Sequence, residues 1–430
     1  MAIFRVEGGI PLSGEVIPSG NKNEALPVLA ASLLAGGPVT LRNVPRIGDT
    51  GTMIDAIRSA GASMDTLTPD TVTIDPSGIK DAEPDQETCA RIRASFLLAG
   101  PLLARRGHVT LPRPGGDRIG RRRLDTHLLA LEALGVEVSA GKAYHLAAPR
   151  GLRGTEIFLD EASVMATENV VMAAAAATGT SVIYNAACEP HVQGVCRMLV
   201  AMGARIDGIG SNVLTVEGTP ELGGCEHRVS PDHIEIGSFI GLAAVTGGET
   251  TIRDVVPEHL RMIRMAFRRL GVETRLSGGD LVVPGGQDLE VCCDLGGAIP
   301  SIADGPWPAF PADLTSIALV TATRSRGTVL IHEKMFESRL FFVDSLIAMG
   351  AKIVLCDPHR AVVNGPANLV GRNLSSPDIR AGMALLIAAL QAEGISMIHN
   401  IQQIDRGYEK IDERLRRLGA RIERLDDCAA

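Results

Sequence analysis

Charged and amide side chains recur where six apolar segments of the sequence begin. They are Lys22 with Asn23, Arg93, Glu168 with Asn169, Asp232 with Glu235, Asp313, and Asp378 with Arg380. A helix N-terminus exposes unpaired backbone N–H groups and a partial positive charge, so several termini converging on one cleft form a receptor for phosphates and carboxylates. The pattern therefore predicts a binding site for an anionic ligand.

Helix capping is the competing interpretation of some of these residues. Asp232, Asp313 and Asp378 are each suited to cap a helix. For any one of them taken alone, capping is the favoured interpretation. Lys22 and Arg93 do not fit it, because a cation at a helix N-terminus opposes the helix dipole and implies an anionic partner.

An arginine-rich segment surrounds a Pro-Gly-Gly turn. Its seven arginines are Arg105, Arg106, Arg113, Arg118, Arg121, Arg122 and Arg123. Gly115 and Gly116 give this segment the freedom to close over a polyanionic substrate, and a solvated basic loop is the alternative. We favour the lid.

These side chains must be positioned by a sixfold internal repeat. Each repeat reads as a strand, a loop, an amphipathic helix and a terminal glycine, and the glycines are Gly61, Gly135, Gly203, Gly271, Gly350 and Gly419. In the third repeat the apolar residues Val192, Val195, Leu199 and Met202 mark one buried helical face, as do Tyr408, Ile411, Leu415 and Leu418 in the sixth. The glycine supplies the left-handed residue that ends the helix.

A second helix, apolar all round, precedes the strand of each repeat and is expected to be buried. The segments are LPVLAASLLAGG, RASFLLAGPLLA, ENVVMAAAAATG, IGSFIGLAAVTGG, LTSIALVTATRS and GMALLIAALQAEG. The repeats are longer than those of most solenoids, which favours two closed domains of three repeats over an open array. A chain of 430 residues also fits two hydrophobic cores.

Composition and motif searches exclude several classes of function. The net charge of −8 and the 13 aromatic residues disfavour a nucleic-acid-binding protein. The eight cysteines form no CxxC pair, which argues against a zinc site or a disulfide framework. Walker A, GxGxxG, HExxH and GxSxG motifs are all missing from the sequence. With neither a signal peptide nor a long apolar segment in the sequence, we expect a cytoplasmic protein that does not contact membranes.

Ten short segments in order resemble the enolpyruvyl transferase family, in the branch that uses UDP-N-acetylglucosamine. They are SGNKNEALP, RIRASFLLAGP, PGGDRIGRRRLDTH, SVMATEN, NAACEPH, PDHIEIGSF, FPADL, FESR, PDIRAG and IDRGYEKI. The resemblance implies an α/β fold of two inside-out α/β barrel domains, each of three βαβαββ repeats, with a cleft between them. It implies an N-terminal barrel at 23–231 that carries a mobile loop at 112–123, and a C-terminal barrel formed by 1–22 and 232–430.

The same resemblance implies a site for two small-molecule substrates. Phosphoenolpyruvate would be held by Lys22, Arg93, Arg122, Arg339, Arg380 and Arg406. UDP-N-acetylglucosamine would contact Asn23, Arg93, Arg122, Leu124, Asp125, His127, Ser163, Val164, Asp313 and Met335. The catalytic residues would be Lys22, Asp117 and Asp313, with Asp313 taking the proton from the attacking 3-hydroxyl.

Transfer of an enolpyruvyl group needs an acid, a base and anion clamps, so the resemblance implies neither a cofactor nor a metal. The methylene carbon of the enol is protonated, the sugar oxygen bonds the adjacent carbon, and phosphate then leaves the tetrahedral intermediate. The expected reaction is the first committed step of peptidoglycan precursor synthesis.

The sequence departs from the family pattern at several positions. Asp117 stands where cysteine is commonest at the tip of the loop, which is also longer by Arg113 and Pro114. Arg123, Met165 and Ala312 also replace more usual residues near the nucleotide positions and the expected base. Whether Asp117 donates a proton or serves only in loop closure stays open.

Two alternatives remain. One is a sister enolpyruvyl transferase that acts on shikimate 3-phosphate or on a nucleoside, which the uridine-side motifs disfavour. The other is a non-catalytic paralogue that binds a sugar nucleotide as a sensor, and the presence of Lys22, Asp313, Arg380 and Arg406 argues against it.

Overall fold

The computed structural model divides the chain into two compact units, each with its own hydrophobic core. It describes residues 2–79, 83–117 and 119–426, and of Asp426 only the backbone. Arg118 of the arginine-rich segment and Cys428 lie outside the described residues. Unit 1 comprises Met1–Ser19, Asp117–Arg121 and Pro231–Ala430, and unit 2 comprises Gly20–Gly116 and Arg122–Ser230.

The chain starts in unit 1 and then builds the whole of unit 2. The unit 1 strands are β1 (Ala2–Glu7) and β2 (Gly14–Val16). The unit 2 elements are α1 (Lys22–Ala31), β3 (Val39–Arg42), α2 (Gly48–Ser59), β4 (Ser63–Thr68), β5 (Thr71–Asp75), α3 (Gln86–Arg91), α4 (Ala99–Arg106), β6 (His108–Pro112), α5 (Asp125–Ala133), β7 (Glu137–Ala140), β8 (Ala143–Ala147), β9 (Glu156–Phe158), α6 (Val164–Ala175), β10 (Thr180–Tyr184), α7 (Pro190–Ala201), β11 (Arg205–Asp207), β12 (Val213–Glu217) and β13 (Glu226–Arg228).

The rest of unit 1 follows in the same alternating order. Its elements are α8 (His233–Thr246), β14 (Thr250–Ile252), α9 (Arg261–Arg269), β15 (Arg275–Ser277), β16 (Asp280–Val283), β17 (Ser301–Ala303), α10 (Thr315–Ala322), β18 (Gly327–His332), α11 (Val343–Ala348), β19 (Ile353–Asp357), β20 (Arg360–Gly365), β21 (Asn373–Ser375), α12 (Ile379–Gln391), β22 (Ile395–His399), α13 (Gln402–Asp405), α14 (Ile411–Arg417) and β23 (Arg421–Asp426). Short 3-10 turns precede several helices, among them Arg93–Leu98 and Ala312–Leu314.

Each unit contains three small sheets, one for each predicted repeat. Their strand orders are β13-β3-β5-β4, β6-β8-β7 and β11-β12-β10-β9 in unit 2, and β15-β16-β14-β2, β17-β18-β20-β19 and β21-β22-β1-β23 in unit 1. Each four-stranded sheet combines one parallel pairing with two antiparallel ones, for example β9 parallel to β10 beside β10 antiparallel to β12. Strand β1 pairs with β22 and β23, which explains why the N-terminal segment belongs to unit 1.

The apolar helices form the centre of each unit, as predicted. In unit 1, helices α8, α10 and α12 pack against one another, and every residue of α10 is buried. In unit 2, α6 packs against α1 and α4. Because the helices are inside and the sheets surround them, the inside-out α/β prediction is confirmed.

The outer helices end as the sequence predicts. The six terminal glycines all have positive φ angles, between 83° at Gly271 and 110° at Gly203. An L-residue with a side chain is strained in this conformation, so glycine ends each outer helix at little conformational cost.

Three predictions about helix boundaries are wrong. Tyr408 is buried but lies before α14, since Lys410 adopts a left-handed conformation and interrupts the helix. Arg105 is not part of a loop: it lies in the last turn of α4, and its guanidinium donates to the carbonyls of Leu33, Ala35 and Pro76.

Glu168 and Asn169 do not begin the third inner helix either. Helix α6 starts at Val164, so both residues lie in its second turn. Their side chains point into the core, where Asn169 accepts a hydrogen bond from the backbone N–H of Gly100 at 2.7 Å.

In the part of the chain that the structure describes, no helix is both long enough and apolar enough to cross a lipid bilayer.

Candidate active site

Asp313 lies in the 3-10 turn before α10, and its side chain is 24% exposed. Nη2 of Arg339 donates to Oδ1 of Asp313 at 2.7 Å. Arg380 donates to Oδ2 from Nη2 at 2.9 Å and from Nε at 3.1 Å. The residue predicted to be the base is therefore held between two arginines predicted to bind phosphoenolpyruvate.

The prediction that Asp313 caps a helix is wrong, whereas Asp232 and Asp378 do cap α8 and α12. Helix α10 follows Leu314 and has no side-chain cap. The physical reason is that charge-assisted hydrogen bonds from two guanidinium groups are stronger than a bond from a neutral backbone N–H.

Two buried guanidinium nitrogens beside Asp313 have no acceptor. They are Nε of Arg339 and Nη1 of Arg380, neither of which has a hydrogen-bond partner among the described residues. Burial alone would lower the pKa of both guanidinium groups, but Asp313 and other neighbours more than offset it, so the pKa of each is raised and both stay charged. Because an unsatisfied buried donor is costly, the geometry fits a bound carboxylate or phosphate next to Asp313.

Asp117 is positioned by Arg406 in unit 1. Its Oδ1 forms an ion pair with Nη1 of Arg406, and the same nitrogen donates to Oε1 of Gln403 at 2.8 Å. Asp378, the cap of α12, interacts electrostatically with both Asp117 and Arg339. Unit 1 thus brings together five of the predicted site residues: Asp117, Asp313, Arg339, Arg380 and Arg406.

The segment after Asp117 is fixed to the loop that follows β18. The backbone N–H of Ser338 donates to the carbonyl of Ile119 at 3.1 Å, and that of Arg121 donates to Oε2 of Glu337 at 3.1 Å. Gly120 has φ 137°, and a Cβ at this position would collide with the carboxylate of Glu337. The close approach therefore requires glycine.

Lys22 is the first residue of α1 in unit 2, directly after Asn21, which caps the helix by accepting from the N–H of Glu24 at 3.1 Å. Nζ of Lys22 lies 2.9 Å from Oδ2 of Asp49, and both side chains are largely buried. The expected anionic partner of this cation therefore exists within the chain. Asn23, the next residue, is partly exposed.

Arg93 holds the end of the arginine-rich loop. It donates to the backbone carbonyl of Arg122 at 2.8 Å and to that of Arg123 at 2.7 Å. Burial, together with the charge of Arg122, lowers the pKa of Arg93 to about 10. Gly116 has φ 108°, and a Cβ at this position would lie 3.2 Å from Cβ of Arg93.

The remaining residues of the predicted nucleotide set differ in exposure. Asp125 is exposed, Arg122, Ser163 and Val164 are partly exposed, and Leu124 and His127 are buried. The ring of His127 contacts Phe96 edge-to-face at 5.2 Å, and burial lowers the pKa of this histidine to about 3. Ser163 caps α6, since its Oγ accepts from the N–H of Ala166 at 3.5 Å.

Met335 is the predicted nucleotide residue of unit 1 other than Asp313. Its side chain is 37% exposed, and its backbone N–H donates to Oδ2 of Asp304 at 3.2 Å. Sequence reasoning missed Asp304, Asp49 and Glu333. It also missed Asp160, whose Oδ1 accepts from the Thr126 hydroxyl at 2.6 Å and whose Oδ2 lies 3.7 Å from Nη2 of Arg123. Asp49 lies in the first turn of α2, the outer helix of the first repeat, and its pairing with Lys22 depends on a contact between two separate helices.

Comparisons with known proteins show the family of the chain. The family model described as EPSP synthase (3-phosphoshikimate 1-carboxyvinyltransferase) matches residues 6–415. The chain is 58% identical to the UDP-N-acetylglucosamine 1-carboxyvinyltransferase of Bradyrhizobium diazoefficiens, over 99% of this chain and 98% of that protein. It is 54% identical to the protein of the same name from Treponema denticola, over 98% of each chain.

Solved structures extend the similarity to the fold. The enolpyruvyl transferase NikO from Streptomyces tendae aligns with a TM-score of 0.87 and 25% identity over 99% of each chain. EPSP synthase from Acinetobacter baumannii aligns with a TM-score of 0.75 and 19% identity over 99% of this chain and 100% of that one, which shows a shared fold.

Proposed function

We propose a reaction for this chain, which belongs to the UDP-N-acetylglucosamine 1-carboxyvinyltransferase family of enolpyruvyl transferases. It transfers the enolpyruvyl group of phosphoenolpyruvate to the 3-hydroxyl of UDP-N-acetylglucosamine and releases phosphate, the first committed step of peptidoglycan precursor synthesis. The observation that carries the proposal in the structure is the pair of buried guanidinium N–H groups without acceptors beside the carboxylate of Asp313.

The reaction is an addition followed by an elimination. A proton adds to C3 of phosphoenolpyruvate, C2 becomes electron-deficient, and the 3-oxygen of the sugar bonds C2 while losing its own proton. The tetrahedral intermediate then loses a proton from the new methyl group and expels phosphate, which restores the C2–C3 double bond. Both halves need one group that takes a proton and one that gives a proton.

Asp313 is assigned the deprotonation of the 3-hydroxyl. A carboxylate whose two oxygens are held by guanidinium groups has little freedom to rotate, so its orientation is set before the substrate binds. Its partial exposure leaves it accessible to a hydroxyl group.

Arg339 and Arg380 are assigned the negative charges of phosphoenolpyruvate. Nε of Arg339 and Nη1 of Arg380, which lack acceptors, can each bind a carboxylate or phosphate oxygen of the substrate. The other guanidinium nitrogens keep their hydrogen bonds to Asp313. Arg406 would join them by exchanging its ion pair with Asp117 for a substrate oxygen. Through this exchange Asp117 would respond to bound substrate and move with the loop. Asp117 is also assigned as the proton donor.

The unit 2 residues are assigned the remaining contacts. Lys22, Arg93 and Arg122 would contribute to phosphoenolpyruvate binding, with Lys22 oriented by its ion pair with Asp49. Asn23, Leu124, Asp125, His127, Ser163 and Val164, with Met335 from unit 1, would contact UDP-N-acetylglucosamine. The two compact units are proposed to be the two barrel domains of the family.

Phosphate release tests the function directly. The purified protein is mixed with phosphoenolpyruvate and, in separate reactions, with UDP-N-acetylglucosamine, shikimate 3-phosphate or uridine. Of the three acceptors, only UDP-N-acetylglucosamine should give stoichiometric phosphate and a product heavier by one enolpyruvyl group. Release with shikimate 3-phosphate would reassign the acceptor, and tight sugar-nucleotide binding without phosphate release would identify a sensor.

A further inference from the structure

Three repeats share a hydrogen bond at the end of the strand that leads to the outer helix. An asparagine follows this strand, and its Nδ2 donates to the carbonyl of the residue that follows the parallel neighbouring strand. We call this bond the strand-end latch, and its members are Asn43 with Val229 at 2.9 Å, Asn185 with Leu159 at 2.9 Å, and Asn400 with Ser376 at 2.7 Å. The latch joins two strand ends through one neutral amide.

The fifth repeat has two carboxyl groups where the others have the latch. Glu333 follows β18 as Asn43 follows β3, and Asp304 follows β17 as Val229 follows β13. The backbone relation is unchanged, because the N–H of Asp304 donates to the carbonyl of His332 at 3.2 Å. Both carboxyl groups are buried, at 0% exposure for Glu333 and 2% for Asp304.

These two carboxyl groups bind the backbone of the loop that follows β18. Asp304 accepts from the N–H of Lys334 with one oxygen and from the N–H of Met335 at 3.2 Å with the other. Oε1 of Glu333 accepts from the N–H of Phe336 at 3.2 Å. Three successive backbone N–H groups are thus held before the loop reaches Arg339.

Arg339 contacts the same group of residues. Its Nε lies 3.9 Å from Oε2 of Glu333, and its guanidinium stacks over the ring of Phe336 at 5.0 Å. Nη2 of the same guanidinium donates to Asp313 at 2.7 Å. Any change in the charge or position of Glu333 therefore acts on Asp313 through one side chain.

Glu333 and Asp304 are buried at the adjacent ends of two paired strands and interact electrostatically, so one proton between them avoids two neighbouring negative charges. Both oxygens of Asp304 already accept backbone N–H groups, whereas Glu333 accepts from one backbone N–H, that of Phe336. The proton therefore belongs on Glu333. Burial raises the pKa of Glu333, with a further contribution from Asp304, while Arg339 opposes the shift.

We propose that Glu333 and Asp304 are a proton-sharing pair that positions Arg339 and the backbone of residues 334–336 for the reaction, an inference that rests on the proposed function. Sharing one proton leaves the pair with one negative charge. Arg339 then keeps its hydrogen bond to Asp313 and a donor for the substrate. A second negative charge would draw Arg339 towards Glu333 and away from the reacting groups.

Three variants test the pair. Glu333→Ala removes the carboxyl group, Glu333→Gln replaces its protonated form by an amide of similar shape, and Asp304→Asn does the same at the partner. In Glu333→Gln the amide N–H can donate to Asp304 while its oxygen accepts from Phe336. In Asp304→Asn the amide N–H must face the N–H of either Lys334 or Met335, so one backbone donor loses its acceptor.

We expect Glu333→Ala and Asp304→Asn to raise the KM for phosphoenolpyruvate by roughly tenfold or more, with a smaller effect on kcat, and Glu333→Gln to restore most of the loss. The pH profile adds a second readout. Glu333 is faced by Asp304, by Arg339, by the Thr315 hydroxyl from α10, and at its carbonyl by Nδ1 of His359. Deprotonation of Glu333 at alkaline pH should lower kcat/KM in the wild type, and Glu333→Gln should lose this alkaline decrease.

Thermal unfolding separates this inference from the proposed function, since it needs no turnover. Asp304→Asn should lower the unfolding midpoint by roughly 4 °C or more, and Glu333→Gln by clearly less. If the wild type releases no phosphate, the proposed function fails. The unfolding midpoints of Asp304→Asn and Glu333→Gln still test the proton-sharing pair in that case. Equal damage by Glu333→Gln and Asp304→Asn, or greater damage by Glu333→Gln, would overturn the proton-sharing pair.

Discussion

Four repeats connect the strand to the next helix by a short link, and two do so by a long loop. The short links are 43–47, 185–189, 253–256 and 400–401, and each contains an asparagine or aspartate with a positive φ. The long loops are 113–124 in the second repeat and 333–342 in the fifth. The two long loops contact each other in unit 1, through Ile119 with Ser338 and Arg121 with Glu337.

The short links and the long loops differ in the residues that they carry. The short links hold strand ends through neutral amides or turn residues, and they contain none of the predicted site residues. The long loops carry Asp117, Arg122, Met335 and Arg339, and the fifth repeat replaces the strand-end latch by a charged pair. Two of the six strand-to-helix connections thus carry predicted site residues. The other predicted charged residues lie near the starts of inner helices, as Lys22, Asp313 and Arg380 do, or directly after α13, as Arg406 does.

The largest expected effect is at Asp313, between the two clamping arginines. Asp313→Asn keeps the size of the side chain and removes its basicity, so turnover should fall on the order of 10²–10⁴-fold with UDP-N-acetylglucosamine binding largely kept. Steady-state phosphate release and calorimetric binding measure the two quantities. Asp288→Asn, which removes a carboxylate from an exposed ion pair with Arg326, is the matched control. Near-normal turnover in Asp313→Asn would remove this residue from the mechanism.

A smaller effect is expected at Arg339 in the long loop of the fifth repeat. Arg339→Lys keeps the charge but loses the planar donor set that reaches both Asp313 and a substrate oxygen, so kcat/KM for phosphoenolpyruvate should fall about 10–100-fold. Arg253→Lys makes the same change in the short link of the fourth repeat, where Arg253 pairs with Glu15 and Asp280 at the surface. Equal losses in both variants would abolish the distinction between long loops and short links.

Sequence reasoning predicted the repeats well because their signals are local. The spacing of apolar residues and the terminal glycines depend on neighbours within one helix. The structure confirms the glycines, and it confirms the spacing except at Tyr408, which precedes α14. Taken alone, Asp313 favoured a capping role, which is wrong because its partners, Arg339 and Arg380, follow in later elements of the chain. Glu333 and Asp304 were missed for the same reason, since their pairing depends on the parallel alignment of β17 and β18.

Acid should destabilise the protein through His127, at the start of the helix that follows the second repeat's long loop. The pKa of His127 is about 3 in the folded state, below the unfolded value of about 6.5, so the stability that its neutral form contributes is present above pH 6.5 and is lost as the pH falls towards 3. At pH 5 this loss is about 2 kcal/mol in the free energy of unfolding. Urea unfolding at pH 7 and pH 5 should show a smaller loss for His127→Gln than for wild type. The control His108→Gln replaces an exposed histidine and should lose as much unfolding free energy between pH 7 and pH 5 as the wild type. An equal loss in wild type, His127→Gln and His108→Gln would contradict the role of His127.

The smallest expected effect is at the strand-end latch of the third repeat. Asn185→Ala removes the bond to Leu159 and leaves a side chain other than Asn or Gly at φ 57°, so the free energy of unfolding should fall by about 1–2 kcal/mol. Turnover should stay within twofold of wild type. Asn185→Gly removes the same bond without the backbone strain and should cost less. If Asn185→Ala lost turnover without losing stability, a short link would contribute to the reaction, which would contradict the distinction between short links and long loops.

Hydrogen–deuterium exchange with UDP-N-acetylglucosamine and phosphoenolpyruvate tests most directly whether the chemistry is concentrated in the two long loops. The account predicts slower amide exchange at 119–121 and 334–339 when both substrates are bound, with little change in the short links 43–47, 185–189, 253–256 and 400–401. Equal protection of all six strand-to-helix connections, or protection of the short links alone, would contradict it.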